Sequence, residues 1–350
     1  MKKILLFISL LFLWGCDPFD TVIEADQETV AYYQSANLKA ATVGDSLQVV
    51  SWNIKFGGGR IDFFFDCFGD RSLMEEEEVL ANMAGIAAKI REINPDVIFL
   101  QEADVDAKRS AYVDQVQYIL DHTDLNYGVY ASQWKADYVP SDGIGRVNTG
   151  NAILSKYELS DAERIALPLI DSQSGLVQYF YLRRNLLKAK MYDAQGKEIA
   201  LLGTHTSAYA TDGTKGKQLD VIKAEIDVLA EKSTPFLLGG DFNSLPPGTQ
   251  KLKDFPDDVC PKDSDFSGTD FTEEADIMLP FYDYSSLIPL ADYEADNAPF
   301  FSFTADKTGF WNRKLDFMFT NAIFEGGKVL QDGTMPLSDH APLSGVFKGW

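Results

Sequence analysis

Apolar and polar positions along the chain fall into short strand-like runs and longer helix-like repeats. Leu47 to Phe56 and Asp96 to Ala103 are short, rich in β-branched and aromatic residues and closed by turn signals, so they predict buried strands. Between them, Leu80, Met83, Ala87 and Ile90 recur at helical spacing until Asn94-Pro95 stops the run, and Ser72 with Glu75 has capping-box spacing. The glutamates at 75–78 then belong to a helix's first turns, where they complement the positive end of its dipole. Further strands are predicted at Tyr127–Ser132, Asn151–Lys156, Val177–Tyr192, Ile199–Thr206, Pro235–Phe242, Lys314–Asn321 and Ala341–Phe347. A helix from about Lys215 to Lys232 carries Leu219, Ile222, Ile226 and Leu229 on one face. Strands with interspersed helices and several adjacent strand pairs predict an α/β fold of two stacked sheets covered by helices.

The N-terminus follows another pattern. Lys2 and Lys3 precede an apolar run from Ile4 to Trp14, then Gly15 and Cys16. The run is too short to span a bilayer and predicts a secretory signal over residues 1–15. Leu13-Trp14-Gly15-Cys16 resembles a bacterial lipobox, which makes Cys16 the expected lipidated residue, although Trp14 is bulky for its place. An ordinary cleaved signal with an incidental cysteine is the alternative. Residues 16–45 are polar, acidic and weakly periodic and predict a tether. No long linker interrupts residues 46–350, so they are expected to form one folded unit although the length of 350 would allow about two domains at ~150 residues each. The expected setting is extracytoplasmic and lipid-anchored, with Cys67 and Cys260 free to pair there if they meet.

Composition narrows the partners. The chain has 31 Lys+Arg against 53 Asp+Glu, a net charge of −22, which disfavours a broad nucleic-acid surface because phosphate binding needs clustered cations. Its 13% aromatic content excludes a disordered chain.

Polar groups stand at the ends of the predicted strands: Asn53 in VVSWNIKF, Glu102 in DVIFLQEAD, His205 in LLGTHTSA, Asp241 and Asn243 in LLGGDFN, and Asp339 and His340 in LSDHAPL. Asp316 lies inside KLDFMFT, where a buried acid needs a partner. Singly, each fits a turn residue or helix cap. Together, WN, QE, THT, GDFN, LDF and SDH resemble, in order and spacing, the motifs of the endonuclease/exonuclease/phosphatase superfamily, from about Val49 to Phe347. The resemblance implies a deoxyribonuclease I-like four-layer α/β sandwich, two stacked mixed sheets flanked by helices, with the site in a cleft at one sheet edge.

Carboxylate and amide oxygens suit a hard ion such as Mg²⁺, with Mn²⁺ as a substitute. Glu102 is the leading ligand, and the resemblance puts Asn53 beside it and Asp339 in the same site. Three histidines and no thiolate cluster argue against zinc. The resemblance further implies that Asp241 orients or deprotonates the attacking water and that Asn243 holds that water or a phosphoryl oxygen. His340 would contact the phosphate with Asp316 fixing its tautomer, and His205 would contact the phosphate or assist the leaving group. His205 also separates the chain from abasic-site endonuclease-like members and aligns it with sphingomyelinase-like and deoxyribonuclease I-like ones; a core histidine is the bland alternative. His122, in a polar stretch, is expected on an exposed loop.

Arg109, Arg146 and Arg184 are candidate substrate contacts because a guanidinium fork matches phosphate geometry, with surface ion pairing as the equal alternative. Arg183 and Arg184 are expected on opposite faces of a strand. Residues 263–274, DSDFSGTDFTEE, have partial calcium-loop spacing, but Asp270 replaces an apolar residue and no incoming helix precedes them, so an acidic surface loop is favoured over Ca²⁺ binding. The insert Gly57–Asp70, with Phe63, Phe64, Phe65 and Phe68, fits core packing better than a membrane-facing or substrate-facing loop.

Three functions are compatible: a metal-dependent phosphodiesterase on a small or lipid-borne phosphodiester, an extracellular scavenging nuclease, and a non-catalytic binding lipoprotein. The first is preferred. The expected partners are a small-molecule or lipid-head-group phosphodiester and the membrane through its anchor, with the protein acting as a monomer.

Overall fold

The computed structural model describes residues 19–21, 23, 30–66, 69–208, 210, 212–256, 270–305 and 310–349. The signal segment, Cys16, the Cys67/Cys260 pairing, Phe68 and residues 263–269 of the acidic loop lie outside them. In chain order the first strands are β1 (Ala31–Gln34), β2 (Leu47–Asn53), β3 (Val97–Asp104), β4 (Tyr127–Val139), β5 (Gly145–Ser155), β6 (Ser160–Ala166) and β7 (Asn185–Tyr192). Then follow β8 (Glu198–His205), β9 (Phe236–Asp241), β10 (Ser285–Ser286), β11 (Asp316–Thr320), β12 (Ile323–Val329) and β13 (Leu343–Lys348). The helices are α1 (Glu76–Ile93), α2 (Gln115–His122), α3 (Gly175–Phe180), α4 (Thr214–Glu231) and α5 (Leu290–Ala295).

Among the described residues the strands form a seven-stranded sheet, β1-β4-β5-β3-β2-β13-β12, and a six-stranded sheet, β10-β11-β9-β8-β7-β6. Both are mixed: β2/β3 and β8/β9 pair in parallel, and the other pairs are antiparallel. The sheets stack through Val49, Val97, Phe99, Val129 and Ile153 on one side and Leu187, Ala189, Leu201, Leu237 and Met318 on the other. Their outer faces are covered by helices. Val79, Met83, Ile86 and Ile90 of α1 and Val116 and Ile119 of α2 pack on Val50, Trp52, Ile98 and Leu100. Leu219, Ile222 and Ile226 of α4 pack on Leu202, Phe236 and Leu238. The four-layer sandwich expected from the motifs is the fold observed. Strands β2 and β3 are buried on both faces, which is why their sequences read as unbroken apolar runs.

Close approach of the layers favours glycine at one position of β9. A Cβ on Gly239 would stand 2.8 Å from Cδ2 of Phe99 in the opposite sheet, so a side chain there would have to displace that ring.

Four local expectations are corrected. Ala31–Gln34, within the supposed tether, pairs antiparallel with β4, and Lys39 N donates to Asn126 Oδ1, so much of that segment is fixed to the domain. Its half-exposed edge position explains the weak pattern. The cap of α1 is Glu75 with Glu78 rather than Ser72 with Glu75, because Glu75 is itself extended, at φ −77° and ψ 151°, and cannot be an inner residue of a helix begun at Ser72. Leu80, assigned to the apolar face of this helix, is exposed, while Val79 and Ile86 are buried. Val177–Phe180 is helical, α3, capped by Ser174, and the strand begins only at Asn185.

Candidate active site

The strand ends supply the site. The parallel ladder of β8 and β9 sets His205 opposite Asp241, and the antiparallel ladder of β9 and β11 sets Asp316 opposite Asp241. Three functional side chains thus stand in adjacent positions of one sheet. From the other sheet, Asn53 ends β2, Glu102 lies near the end of β3, and His340 precedes β13 with its carbonyl accepting from Trp52 Nε1 at 2.9 Å.

Local backbone distortion aims these groups. The β3/β5 register shifts between Leu100 and Ala103, and Glu102 inside that bulge has φ +56°. Lys55, Phe56 and Asn243 also have positive φ. Such conformations cost roughly 1–3 kcal/mol each for non-glycine residues, and here four of them gather around one cleft.

Asp241 is the hub. Its Oδ1 accepts from Asn243 N at 2.9 Å and its Oδ2 from Asn53 Nδ2 at 3.1 Å. Nε2 of His205 and Nε2 of His340 lie 3.4 and 3.5 Å from Oδ2. His340 Nδ1 is 2.8 Å from Asp316 Oδ2, which also accepts from Ser302 Oγ at 2.6 Å. Asn243 Nδ2 donates to Thr206 O at 3.0 Å, so this side chain braces the loop. Lys215 Nζ, buried beneath, donates to Asn243 O at 2.6 Å.

Burial and charge separate the two imidazoles. Burial alone would depress His340, but the Asp316 and Asp241 carboxylates outweigh it and raise its pKa to about 10. His205 is held well below its ordinary value by burial, with Arg184 and His340 adding repulsion. One ring is therefore a cation and the other neutral at pH 7. Burial pushes Asp241 up to about 7, with His340 opposing and Asp316 adding to the rise. Glu102 is pushed up by burial and then by the charge of Asp339.

Asn53 stands where the motif reading put it, but its amide nitrogen faces the acids. Nδ2 donates to Glu102 Oε1 at 3.0 Å as well as to Asp241, while Oδ1 accepts from Lys55 N at 3.0 Å. It therefore acts here as a bridge between carboxylates. Asp339 shares the cleft with Glu102 and is held below the usual carboxylate range because Lys55, His340 and Arg60 outweigh burial. Two sets could hold a metal: the buried cluster Asp241, Asp316 and His340, whose ligand atoms lie within 4.8 Å of one another, and the Glu102/Asp339 pair.

The three candidate arginines part ways. Arg184 is buried, lines the cleft and donates to Gln133 Oε1 at 3.1 Å. Arg109 lines the cleft too, but its Nε and Nη2 form a two-pronged pair with buried Asp104 at 2.9 Å, and its guanidinium lies 3.8 Å over the Phe56 ring. Arg146 is removed from the site: it forms half-exposed pairs with Asp106 and Asp137, the ion-pair alternative for an acid-rich surface. His122 is outside the cleft, bonded to Tyr118 O.

Lys55 was overlooked. It is buried, 3.0 Å from Asp66 and 3.7 Å from Asp339, and faces the cleft. Its only signal was position, two residues beyond Asn53 in a strand-end motif. Nothing in the sequence pointed to Ser302 or to Arg313, whose guanidinium sits 4.4 and 4.6 Å over Phe255 and Phe303. In the phenylalanine insert, Phe63 is fully buried in the core, as expected, while Phe64 and Phe65 are half-buried against it, and all three border the cleft.

A model of the Endonuclease/Exonuclease/phosphatase family matches residues 50–340. No curated protein matches the chain. Among solved structures, an endonuclease/exonuclease/phosphatase from Beutenbergia cavernae is 18% identical, with 87% of this chain and 71% of that chain covered and a TM-score of 0.57. The human Nocturnin catalytic domain with bound sulfate is 15% identical over 91% and 97%, TM-score 0.55. A Bacteroides vulgatus endonuclease/exonuclease/phosphatase is 14% identical over 87% and 99%, TM-score 0.55. These likenesses concern the fold, while the family match runs through every motif from the end of β2 to His340, and by it the chain belongs to the endonuclease/exonuclease/phosphatase family.

Proposed function

We propose that the chain is a metal-dependent phosphodiesterase acting outside the cytoplasm on a small or lipid-borne phosphodiester. Family membership supports a phosphohydrolase or nuclease-type function. The observation that carries the finer reading is a single carboxylate, Asp241, set between one cationic and one neutral imidazole in a cleft of about 260 Å³ that is lined in part by aromatic rings.

The residues fit a hard divalent ion. Glu102 and Asp339 are oxygen donors in the same cleft, and their mutual repulsion, added to burial, is relieved by a cation. The Asp241/Asp316/His340 cluster suits the ion less, since a protonated His340 donates at its ring nitrogens and offers no lone pair. A Mg²⁺ or Mn²⁺ held by Glu102 and Asp339, with Asn53 beside them, would supply neutralisation of phosphoryl charge.

The chain's own groups do the rest. Asp241, with one oxygen held by Asn243 N, orients a water and accepts its proton, a task suited to a carboxylate pushed up to about 7. His340, charged by Asp316, directs Nε2–H at the developing phosphoryl charge. His205 sets a neutral donor at the same place and assists the leaving group. Arg184 approaches the phosphate from the wall.

The preference for small or lipid-borne esters over long nucleic acid is supported by the charge of −22 and the cleft's aromatic lining. The lipid anchor and the setting outside the cytoplasm rest on the N-terminal sequence pattern. Turnover of bis-p-nitrophenyl phosphate with and without EDTA tests the chemistry: EDTA should abolish it, and undiminished rates in metal-free buffer would refute the mechanism. Comparing kcat/KM for plasmid DNA, phospholipids and small nucleotide diesters tests the substrate class. A tenfold preference for DNA would replace it by the scavenging nuclease.

A further inference from the structure

The cleft is lined by acids, imidazoles and arginines and also by apolar side chains, among which a group from three segments of chain forms one wall, with Arg109 5.9 Å from the Trp134 ring. Phe64 and Phe65 come from the insert before α1, Trp134 and Ile144 from β4 and the turn before β5, and Tyr181 and Leu182 from the segment after α3. Phe64 and Trp134 pack on the same small cluster of Ala107, Ala136, Val139, Ile144 and Val147, which joins the insert to the sheet. Phe65 stacks on buried Phe63 at 5.5 Å with planes 5° apart, meets Phe56 and Phe64 edge-on, and lines the cleft.

The insert is anchored firmly. Asp66 Oδ2 accepts from Phe63 N at 2.9 Å and from Lys55 Nζ at 3.0 Å, and Lys55 also reaches Asp339. Phe64 N bonds Arg71 O, Asn82 Nδ2 bonds Gly57 O, and Arg60 Nη1 bonds Thr304 O. A wall of rings held this way, only half-buried and contiguous with a charged floor, is pre-organised to be covered by an apolar group attached to whatever the floor binds.

We infer that the wall is a subsite for an uncharged apolar alcohol moiety of the phosphoester, with Phe64, Phe65 and Trp134 determining specificity. The inference rests on the proposed phosphodiester chemistry for the identity of the floor's ligand. Aryl and alkyl groups share the required property, and the test separates them.

Binding is read apart from turnover, by calorimetry in the presence of Mg²⁺, with methyl-, hexyl-, phenyl- and 1-naphthylphosphonate as non-hydrolysable probes. The naphthyl or hexyl probe should bind more tightly than the methyl probe by on the order of tenfold to a hundredfold, the usual value of a filled hydrophobic pocket. Phe65→Asn and Trp134→Ala should reduce that ratio toward one, and Phe65→Leu should restore most of it for the hexyl probe and less for the aryl ones. Thermal midpoints identify any variant that fails to fold; the wild-type ratio alone then decides. Equal affinity for all four probes in wild type, or an unchanged ratio in folded Phe65→Asn, overturns the subsite. If the ratio holds while no phosphodiester is hydrolysed, the subsite stands and the catalytic reading falls.

Discussion

Asp316→Asn removes one negative charge from beneath His340 while keeping nearly the same shape. In the native site His340 Nδ1 is 2.8 Å from Asp316, and the ring's pKa is about 10 against 6.5 for a free imidazole. At about 1.36 kcal/mol per pKa unit, the site favours the imidazolium by at most roughly 5 kcal/mol. Asp316 is the largest of three acidic contributors, ahead of Asp241 and Asp339, so its share is roughly 2–3 kcal/mol. If that charge stabilises the transition state, kcat/KM at pH 7 should fall by on the order of a hundredfold. The basic limb of the pH–rate profile should also move, falling from near 10 toward 6.5 as His340 loses its partner. A raised imidazole pKa contributes stability that is complete below 6.5 and lost as pH rises through about 10. Native stability to urea should therefore decline across that window, and the decline should flatten in the variant. NMR titration of the His340 ring, pH–rate profiles and a double-mutant cycle with His340→Ala check this. A His340 pKa unmoved by Asp316→Asn, or losses that simply multiply in the double mutant, would refute the pairing.

Glu102→Gln should reduce turnover by at least about a hundredfold and weaken Mg²⁺ binding by calorimetry, since it removes a ligand charge at constant shape; wild-type metal affinity would place the ion elsewhere. Gly239→Ala should destabilise the fold by about 1–3 kcal/mol in urea titration, because its Cβ meets Phe99 across the sandwich at 2.8 Å; an unchanged midpoint would show that the sheets yield. Arg146→Ala should leave kcat/KM within about twofold and the urea midpoint unchanged, as expected for solvent-screened ion pairs outside the cleft. Cys16→Ser should move the protein from the membrane fraction to the soluble one, and retention with unchanged mass would remove the anchor.

The sequence alone determined the elements whose environment is uniform along their length. Strands β2, β3, β8 and β9 are buried on both faces, and α4 keeps one apolar stripe, so each wrote its own periodicity into the chain. The motifs at their ends were legible for the same reason: a polar residue bounding an apolar run is conspicuous, and Glu102, His205 and Asp241 closed such runs while His340 preceded one. Elements stabilised by neighbours were not legible. Strand β1 exists because β4 offers an edge, and α1 starts at the Glu75/Glu78 cap, after a segment that Met74 N ties to Arg109 O, rather than at Ser72. The fate of charged side chains also depended on tertiary placement. Arg109, Arg146 and Arg184 look alike in sequence, yet Asp104 takes the first, surface acids the second, and the cleft the third, since a guanidinium is satisfied by whichever acceptors the fold brings within about 3 Å. Lys55, the two imidazole charges and the aromatic wall share that origin. Burial and the distance between groups remote in sequence fix protonation and exposure, and those distances exist only once both sheets have closed on one another.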